Sequence, residues 1–557
     1  MSGVYSVAGD EFGARLRALR GVSDLESLAA NSAGSFHLVA SLAGHVYARG
    51  SLSQARRLYR SVVDGVTILA DRARTLAWLS GARLDSRRVS ACLAYPDLPH
   101  PVAAVPLWRG VQALEGAEAA NLDPDGRYRA TRWWSPPAGE LSLDEGATAL
   151  RQTLRAAVAA RVIPGQPLGA DLSGGLDSTS LCFLAADAGA QLVTATIQWD
   201  APGNEDAGYA ARAAAQLPGI QRLIYQPGEL PSQFSGITEY PDPTDEPSAI
   251  LRDAAQQRHI VDATLAAGAT GRLSGHGGDH VVEATPQYLH RLVRRHPIRG
   301  LRYANGYRAR DRWTPTATAR VLLDTRDYRT WLADGARHLC PPTDGTGDPL
   351  PSGWGNPVAL PPWVSERTHT EVAGLLRTTA AEAIPLAHDR GGHAWIHQAQ
   401  TAGRTGVHLA HAGATAHLAT EFPFCDDAVI TACLAVAPQF TADPWSYKPL
   451  LVAAMRGLVP DPILARTTKD HCATEWYAGL REHQSELAAL AENSHLVAEG
   501  LADKPALLRA LLSPGLLDLG VSALEATIGT ETWLRAIAEH PTPAYLQEHA
   551  DEPATTR

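Results

Sequence analysis

The sequence lacks features that mark several specialised classes of protein. No apolar run reaches the roughly 18 residues that a membrane-spanning helix needs, and residues 1–20 lack the unbroken apolar core of a signal peptide. The six cysteines are far apart and form no CxxC pair, which argues against a zinc ribbon and a disulfide framework. The net charge of −10 argues against dedicated nucleic-acid binding. We therefore expect a cytoplasmic globular protein with no membrane span and no nucleic-acid partner.

The chain has 557 residues, more than usually fold around one hydrophobic core. This length indicates two domains or one elaborated domain. Residues 1–140 are rich in short Val and Ile runs broken by turn residues, which predicts a β-rich domain. In residues 141–557 apolar strands alternate with helices, which predicts an α/β domain with a doubly wound parallel sheet and many helices. Its first helix has Ser142 or Asp144 as the N-cap.

The hexapeptide SGGLDS follows an apolar strand, where ligands bind in a parallel α/β sheet. Gly174 and Gly175 let backbone N–H groups approach an anion, and the hydroxyls of Ser173 and Ser178 can donate to it. Asp177 supplies a carboxylate for Mg²⁺. The pattern indicates a polyphosphate cradle, although not a Walker A loop because no Lys-Ser/Thr pair follows. Taken alone, it also fits a Gly-rich turn with an N-cap.

A second Gly-rich loop, RLSGHGGDH at residues 272–280, also ends an apolar strand. Two such loops in one sheet can face each other across the point where the strand order reverses. Asp279 then becomes the second carboxylate for the metal ion. Read alone, this loop is another tight turn.

Together, SGGLDS and LSGHGGD resemble the pyrophosphate loop and second metal loop of the asparagine synthetase B family. The resemblance continues in DEPS (245–248), EFPFCDDAVI (421–430) and the lysine-bearing segment 445–469. It implies a PP-loop ATP pyrophosphatase domain that uses ATP and Mg²⁺ and cleaves ATP between the α and β phosphates. It also implies that residues 1–140 form a glutaminase-like Ntn β-sandwich.

The resemblance implies roles for further residues. Lys448 would contact ATP phosphates, and Lys469 would stabilise the transition state. The adenine pocket would be formed by Leu172, Ile197, Ser274 and Gly275.

Three departures from the family pattern bear on the expected activity. Asparagine synthetases that release ammonia from glutamine carry cysteine as the second residue, whereas this chain has Ser2, so we expect a degenerate glutaminase-like domain. A nucleophilic Ser2 is the weaker alternative. His276 stands where asparagine synthetases carry Glu and β-lactam synthetases carry Tyr. An imidazole there can accept a proton from an attacking amine near neutral pH, or it is a packing residue. His280 replaces an acidic residue beside the metal aspartate, which puts Glu283 in doubt.

Within the family the chain looks most like the lasso peptide cyclases. These adenylate an Asp or Glu side chain of a precursor core peptide and join it to the peptide's N-terminal amine, an isopeptide bond that closes a macrolactam and releases AMP and pyrophosphate. The resemblance implies a separate leader peptidase and a leader-binding protein as partners. A β-lactam-type synthetase, an ammonia-dependent asparagine synthetase and an ATP-binding scaffold remain as alternatives.

Two segments have no place in this pattern. Residues 290–313 are strongly basic, which fits either a solvated helical face or a surface that faces polyphosphate or an acidic peptide. The Pro- and Gly-rich residues 340–366 form a long loop, either a functional lid or a disordered segment, and Trp354 and Trp363 favour a lid.

The cluster HLAHAGATAH places His408, His411 and His417 within ten residues, a density that suggests zinc. No carboxylate or cysteine stands at ligand spacing. Packing within a helix is therefore the favoured interpretation.

Overall fold

The structure is a computed structural model. It describes residues 2–6, 13–14, 16–29, 32–201, 203–248, 250–339, 353–467, 473–513 and 521–547.

The described strands form two antiparallel sheets and one parallel sheet. The antiparallel sheets have the orders β1-β2-β3-β7-β8 and β5-β4-β6, and the parallel sheet has the order β11-β10-β9-β12-β13. These sheets confirm the predicted mixed α/β fold, with antiparallel strands first and a parallel sheet with many helices after them. The strands are β1 (Ser2–Ser6), β2 (Ala33–Leu42), β3 (His45–Arg49), β4 (Tyr59–Val63), β5 (Val66–Ala70), β6 (Gln112–Ala113), β7 (Glu118–Leu122), β8 (Tyr128–Arg132), β9 (Pro167–Asp171), β10 (Gln191–Ile197), β11 (Gln221–Tyr225), β12 (Gly271–Leu273) and β13 (Ala419–Glu421).

Helices make up most of the described chain after the parallel sheet begins. None of those in the described ranges has both the length and the apolar character that a membrane crossing requires. The α-helices are α1 (Leu25–Ala29), α2 (Ala73–Ser80), α3 (Ser86–Ala91), α4 (Leu143–Ala159), α5 (Leu176–Asp187), α6 (Asp206–Ala214), α7 (Ala254–Ala266), α8 (Gly278–Val281), α9 (Leu289–Arg295), α10 (Pro297–Arg310), α11 (Pro315–Leu323), α12 (Tyr328–Gly335), α13 (Glu366–Ala380), α14 (Arg390–Thr415), α15 (Asp427–Leu434), α16 (Pro438–Thr441), α17 (Pro449–Met455), α18 (Asp461–Leu464), α19 (Ala473–Glu482), α20 (Gln484–Glu492), α21 (His495–Ala498), α22 (Lys504–Leu512), α23 (Val521–Glu539) and α24 (Ala544–Gln547). The 3-10 helices span Val22–Asp24, Val102–Ala104, Leu251–Asp253, Pro286–Tyr288 and Pro423–Cys425.

The parallel sheet reverses its strand order beside its central strand, β9. From β9 the chain adds β10 and β11 on one side, then returns to place β12 and β13 on the other. The carboxyl ends of β9 and β12 therefore open onto one crevice, the usual ligand position in an open α/β sheet. Both Gly-rich loops leave the sheet at this point.

The helix α4 begins as the sequence predicts. Ser142 is its N-cap, and a capping box pairs Ser142 with Glu145, whereas Asp144 lies inside the first turn. Leu150, Leu154 and Val158 are fully buried on one face, as their spacing of four indicates.

Strand β13 was not predicted as a strand, because three residues give too short a pattern to recognise. Its position depends on Arg161 at the end of α4, which is buried and lies 2.7 Å from Asp426 Oδ1 and 3.2 Å from Glu421 Oε2. The three charged groups fasten residues 421–426 to the end of α4.

The prediction that Trp354 and Trp363 belong to a functional lid is wrong, because the structure buries both side chains. Trp354 Nε1 donates to the Arg326 carbonyl at 3.0 Å, and Trp363 Nε1 donates to Thr527 Oγ1 at 3.0 Å. Both rings are buried in the helical core, because each indole finds an apolar surround and a hydrogen-bond acceptor there. Residues 340–352 lie outside the described residues.

The N-terminal region and the helical part share one core. Tyr59, Leu76 and Trp108 pack in the same apolar cluster as Trp363 and Trp533, and the rings of Trp108 and Trp533 are 5.8 Å apart. The division into residues 1–140 and 141–557 stays a prediction.

Helix α14 meets the N-terminal region at a glycine. A Cβ on Gly403 would lie 1.9 Å from the Ser53 carbonyl oxygen, so only a bare helix surface fits there. The side chain of Arg404, next along the helix, donates to Gln54 Oε1 at 3.1 Å.

Gly403→Ala is expected to destabilise the protein by about 1–3 kcal/mol because the added methyl group overlaps backbone. Gly374→Ala is the matched control, since Gly374 is also helical and nothing lies within 4 Å of an added Cβ. That control should be neutral or slightly stabilising. Thermal denaturation of both variants measures the difference, and equal melting temperatures would contradict the close approach.

Candidate active site

The two Gly-rich loops line one cavity beyond β9 and β12. The cavity holds about 1000 Å³ and is open to solvent. The structure brings together most of the loop residues that the sequence predicts for one site. Predicted residues that line it are Ser173, Gly175, Asp177, Ser178, Ile197, Ser274, Gly275, His276 and Asp279.

The two loops fit together because glycines remove side chains at their contacts. A Cβ on Gly275 would lie 2.6 Å from the Ser178 backbone nitrogen, and one on Gly278 would lie 2.3 Å from Asp177 Cγ. Glycine at these positions lets the second loop pack directly on the first residues of α5. The glycines of the second loop therefore position Asp177 as well as the loop itself.

The first loop presents hydroxyl and amide groups at the start of α5. Ser173 Oγ and Ser178 Oγ are 2.9 Å apart, and the Gly175 N–H donates to Ser173 Oγ at 3.3 Å. The helix α5 begins at Leu176, so its positive end faces this loop. The arrangement suits an anion such as a phosphate group.

Lys448 joins the two loops. Its side chain is fully buried, with Nζ in contact with Asp177 Oδ2 and 2.6 Å from Asp279 Oδ1. Burial works to lower the pKa of Lys448, but the two carboxylates outweigh it and raise that pKa above its ordinary value. The ammonium therefore stays charged and holds the carboxylates together.

The same two carboxylates fit a magnesium site. Mg²⁺ that bridges phosphate oxygens is bound by one or two protein carboxylates, and water completes its coordination shell. The other polar side-chain atoms nearby are also oxygens, those of Ser173 and Ser178. Asp177 and Asp279 would hold the ion, which would neutralise phosphate charge. In the structure, the ammonium of Lys448 lies between the two carboxylates.

Arg466 is a site residue that sequence reasoning missed. It is 1% exposed, donates from Nη1 to the Gly174 carbonyl at 3.0 Å, and lies 2.6 Å from Asp206 Oδ1. Its guanidinium also lies over the ring of Tyr209 at 4.5 Å. Arg466 thus fixes the first loop to the segment that leads to Lys469. The only available signal was an arginine three residues before that lysine.

A second missed group lines the floor of the cavity. Arg272 Nη2 lies 2.5 Å from Asp171 Oδ1, and Arg272 Nη1 donates to Gln257 Oε1 at 3.0 Å. Arg272 sits on β12 and Asp171 on β9, so the pair joins the strands next to the crevice. Neither Arg272 nor Asp171 belongs to a motif that predicts this pair, so the sequence did not reveal it.

His276 is half-buried in the wall of the cavity. Its Nε2 lies 2.8 Å from the Ala402 carbonyl of α14, and its ring packs 5.6 Å from Phe422 and 5.7 Å from His280. A neutral ring that donates from Nε2 carries its lone pair on Nδ1. The position is compatible with packing and with proton transfer.

Two further predicted residues, Leu172 and Gly174, do not line the cavity. Leu172 is fully buried beneath the first loop, and its N–H donates to the Ala195 carbonyl at 2.8 Å. Gly174 belongs to the first loop, and its carbonyl accepts a hydrogen bond from Arg466 Nη1. Lys469 falls outside the described residues.

Glu283 lies near Lys448 and has an altered acidity. Burial raises the pKa of Glu283 to about 7, with Asp279 and Asp177 adding to the effect and Lys448 opposing it.

The histidines on α14 make protein contacts. His408 Nδ1 lies 3.1 Å from Thr244 Oγ1, and burial lowers the pKa of His408 to about 4. In the described part of the chain, no group of three or more His, Cys, Asp or Glu side chains is arranged to hold a metal ion.

A scan against protein-family profiles matches asparagine synthase over residues 149–535. The chain belongs to the asparagine synthase family. Enzymes of this family are ATP-dependent amide ligases that usually use Mg²⁺, which agrees with a Gly-rich loop at a helix N-terminus and paired carboxylates.

Solved structures similar to this asparagine synthase family member include two enzymes of low identity. One is the glutamine phosphoribosylpyrophosphate amidotransferase of B. subtilis complexed with ADP and GMP, 10% identical over 49% of this chain and 55% of that chain, with a TM-score of 0.17. The other is the allosteric regulatory enzyme of purine biosynthesis, 10% identical over 48% of this chain and 52% of that chain, also with a TM-score of 0.17. The chain spans about half the length of both, and neither likeness bears on the site. A search of curated proteins found no match.

Lys448→Met is expected to lower the melting temperature in the absence of magnesium, because the buried Asp177 and the partly exposed Asp279 lose their shared cation, a loss of about 3 kcal/mol. Added MgCl₂ should raise the melting temperature of the variant more than that of the wild type. Lys504→Met, which removes a partly exposed lysine paired with Glu492 at 2.5 Å, is the control. A variant that melts like the wild type without magnesium would contradict the bridge.

Glu283→Gln is expected to change the pH dependence of stability. Because the folded-state pKa of about 7 lies above the ordinary value of 4.5, the folded protein binds the proton more tightly, and stability falls as pH rises through that window. Glutamine removes this loss, worth up to about 3 kcal/mol. The melting temperature of the variant relative to wild type should rise from about pH 4.5 to pH 7, while the exposed control Glu482→Gln stays flat. A flat profile for both would contradict the prediction.

Proposed function

We propose that the chain is an ATP-dependent, AMP-forming amide ligase, and more specifically a lasso peptide cyclase. The observation that supports an adenylating site is the meeting of two Gly-rich loops around Lys448, Asp177 and Asp279 at the switch point of the sheet. This geometry combines an anion cradle with a paired-carboxylate site for Mg²⁺, as cleavage of ATP at the α-phosphorus requires.

The first step is attack of a substrate carboxylate on the α-phosphorus of ATP, which forms an acyl-adenylate and releases pyrophosphate. The hydroxyls of Ser173 and Ser178 and the positive end of α5 stabilise the leaving pyrophosphate. Bound Mg²⁺ would supply further neutralisation of phosphate charge. Lys448, buried between Asp177 and Asp279, adds positive charge beside the phosphates. Lys469 offsets charge at the reacting centre by its match to the family lysine.

The second step is attack of an amine on the acyl-adenylate, which forms the amide and releases AMP. The chain has Ser2 where glutamine-dependent relatives carry cysteine, which favours an amine that arrives on the substrate itself. An α-amine has a reference pKa of about 8 and is partly neutral already, so positioning counts for more than strong base catalysis. His276, in the wall of the cavity, takes the proton.

The proposed substrate is a precursor core peptide whose Asp or Glu side chain is joined to its own N-terminal amine, which closes a macrolactam. The resemblance to the lasso peptide cyclases supports this substrate. The expectation that the amine arrives on the substrate supports it as well, because both reacting groups then belong to one molecule. We propose further that the enzyme is cytoplasmic and that it works with a separate leader peptidase and a leader-binding protein.

AMP and pyrophosphate release with a leaderless precursor peptide tests the proposal, run beside aspartate plus ammonium. Dehydration of the peptide, read by mass spectrometry, is the expected result. Asp279→Asn should lower AMP release by about a hundredfold because it removes one metal carboxylate. The exposed Asp262→Asn is the control. Turnover of the small substrates without peptide dehydration would overturn the cyclase assignment and favour a small-substrate amide ligase.

A further inference from the structure

The basic segment 290–313 forms a surface whose charge is opposite to that of the whole chain. It carries eight arginines and one aspartate, whereas the chain has a net charge of −10. The structure places the segment on α9 and α10, two helices joined at His296. A local excess of one sign of charge attracts ligands of the opposite sign.

The outward face of α10 is apolar as well as basic. The helix buries Gly300, Ala304 and Tyr307 against its neighbours. On the opposite side Ile298 is 89% exposed and Leu301 is 57% exposed. Residues three and four apart on a helix share a face, so Ile298, Leu301 and Arg302 form one surface.

The arginines on this surface have few acidic partners within the protein. Arg291 pairs with Asp389 at 3.3 Å and Arg310 pairs with Asp311 at 2.7 Å. In the described ranges, by contrast, no carboxylate lies within ion-pair distance of Arg295, Arg299 or Arg302. These guanidinium groups remain available to an outside partner.

The surface is continuous with the wall of the candidate active site. A Cβ on Gly306 would lie 2.7 Å from Pro444 Cγ, so α10 rests directly on the connector that leads to Lys448. On that connector Trp445 is 52% exposed and lies 5.0 Å beneath the Arg302 guanidinium. Two residues further on, Tyr447 lines the cavity.

We propose that this surface, here named the arginine face, binds an acidic segment of the peptide substrate that also carries apolar side chains. Charge complementarity selects the acidic residues, and the apolar members of the face contact the rest of the segment. The proposal rests on the proposed function, since a peptide anchored here reaches the cavity along Trp445 and Tyr447. The arginine face consists of Arg295, Ile298, Arg299, Leu301, Arg302 and Trp445.

The test measures binding without ATP. The probe is a short fluorescein-labelled peptide of alternating Glu and Leu, followed by fluorescence anisotropy. Arg299→Glu/Arg302→Glu should weaken binding by about tenfold, and salt should weaken wild-type binding. The matched control is Arg127→Glu/Arg222→Glu, because both arginines are exposed and lie outside α10, Arg127 just before β8 and Arg222 on β11. Unchanged melting temperatures show that the charge reversals leave the fold intact.

Two further arms test the chemistry of the partner. A Gln-Leu version of the peptide should bind about tenfold more weakly to the wild type, and Ile298→Ser/Leu301→Ser should also weaken binding of the Glu-Leu peptide. Equal binding of the Glu-Leu peptide by wild type and the charge-reversed variant would overturn the proposal. So would tighter, Arg302-dependent binding to phosphatidylserine vesicles than to the peptide, which would make the face a membrane surface.

Failure of this proposal is distinguishable from failure of the proposed function. If the precursor peptide is dehydrated and the charge-reversed variant binds the probe normally, the arginine face is wrong and the cyclase stands. If aspartate plus ammonium is turned over and the precursor is not, the proposed function fails, and the peptide-substrate role of the face fails with it.

Discussion

The contact of one buried ammonium with two carboxylates organises the candidate site. Lys448 lies at the start of α17, Asp177 in the first turn of α5 and Asp279 in α8, so the contact joins three helices that are remote in sequence. Removal of the ammonium leaves two neighbouring carboxylates without a cation, which is costly because Lys448 and Asp177 lie in the low-dielectric interior. The loops, their glycines and Arg466 all serve to keep these charges at contact distance.

Helix α14 links the N-terminal region to this charge cluster. One turn of the helix accepts a hydrogen bond from His276 at the Ala402 carbonyl, receives the Ser53 backbone at Gly403, and reaches Gln54 through Arg404. The N-terminal region therefore contributes contacts that hold α14 in place. It packs against the helix that supports the second loop, which gives a structural reason to retain it.

Sequence reasoning predicted the elements whose local pattern is strong. The Gly-rich loops, the Ser142 cap and the strand–helix alternation follow from turn chemistry and periodicity, and the structure has them at those positions. It missed Arg466 and Arg272, because their roles depend on partners far along the chain, Gly174 and Asp171. It misread Trp354 and Trp363, because the burial of an aromatic residue in a Pro-rich loop depends on tertiary packing that the loop sequence does not encode.

Lysine is almost absent from the chain, with Lys448, Lys469 and Lys504 the only three among 557 residues. An activated acyl group reacts with any neutral amine in reach, and an enzyme that makes one risks acylating itself. The carboxylates that raise the pKa of Lys448 keep its nitrogen as an ammonium, which has no lone pair with which to attack. Under the proposed reaction, the contact that holds the loops together also protects the enzyme from its own intermediate.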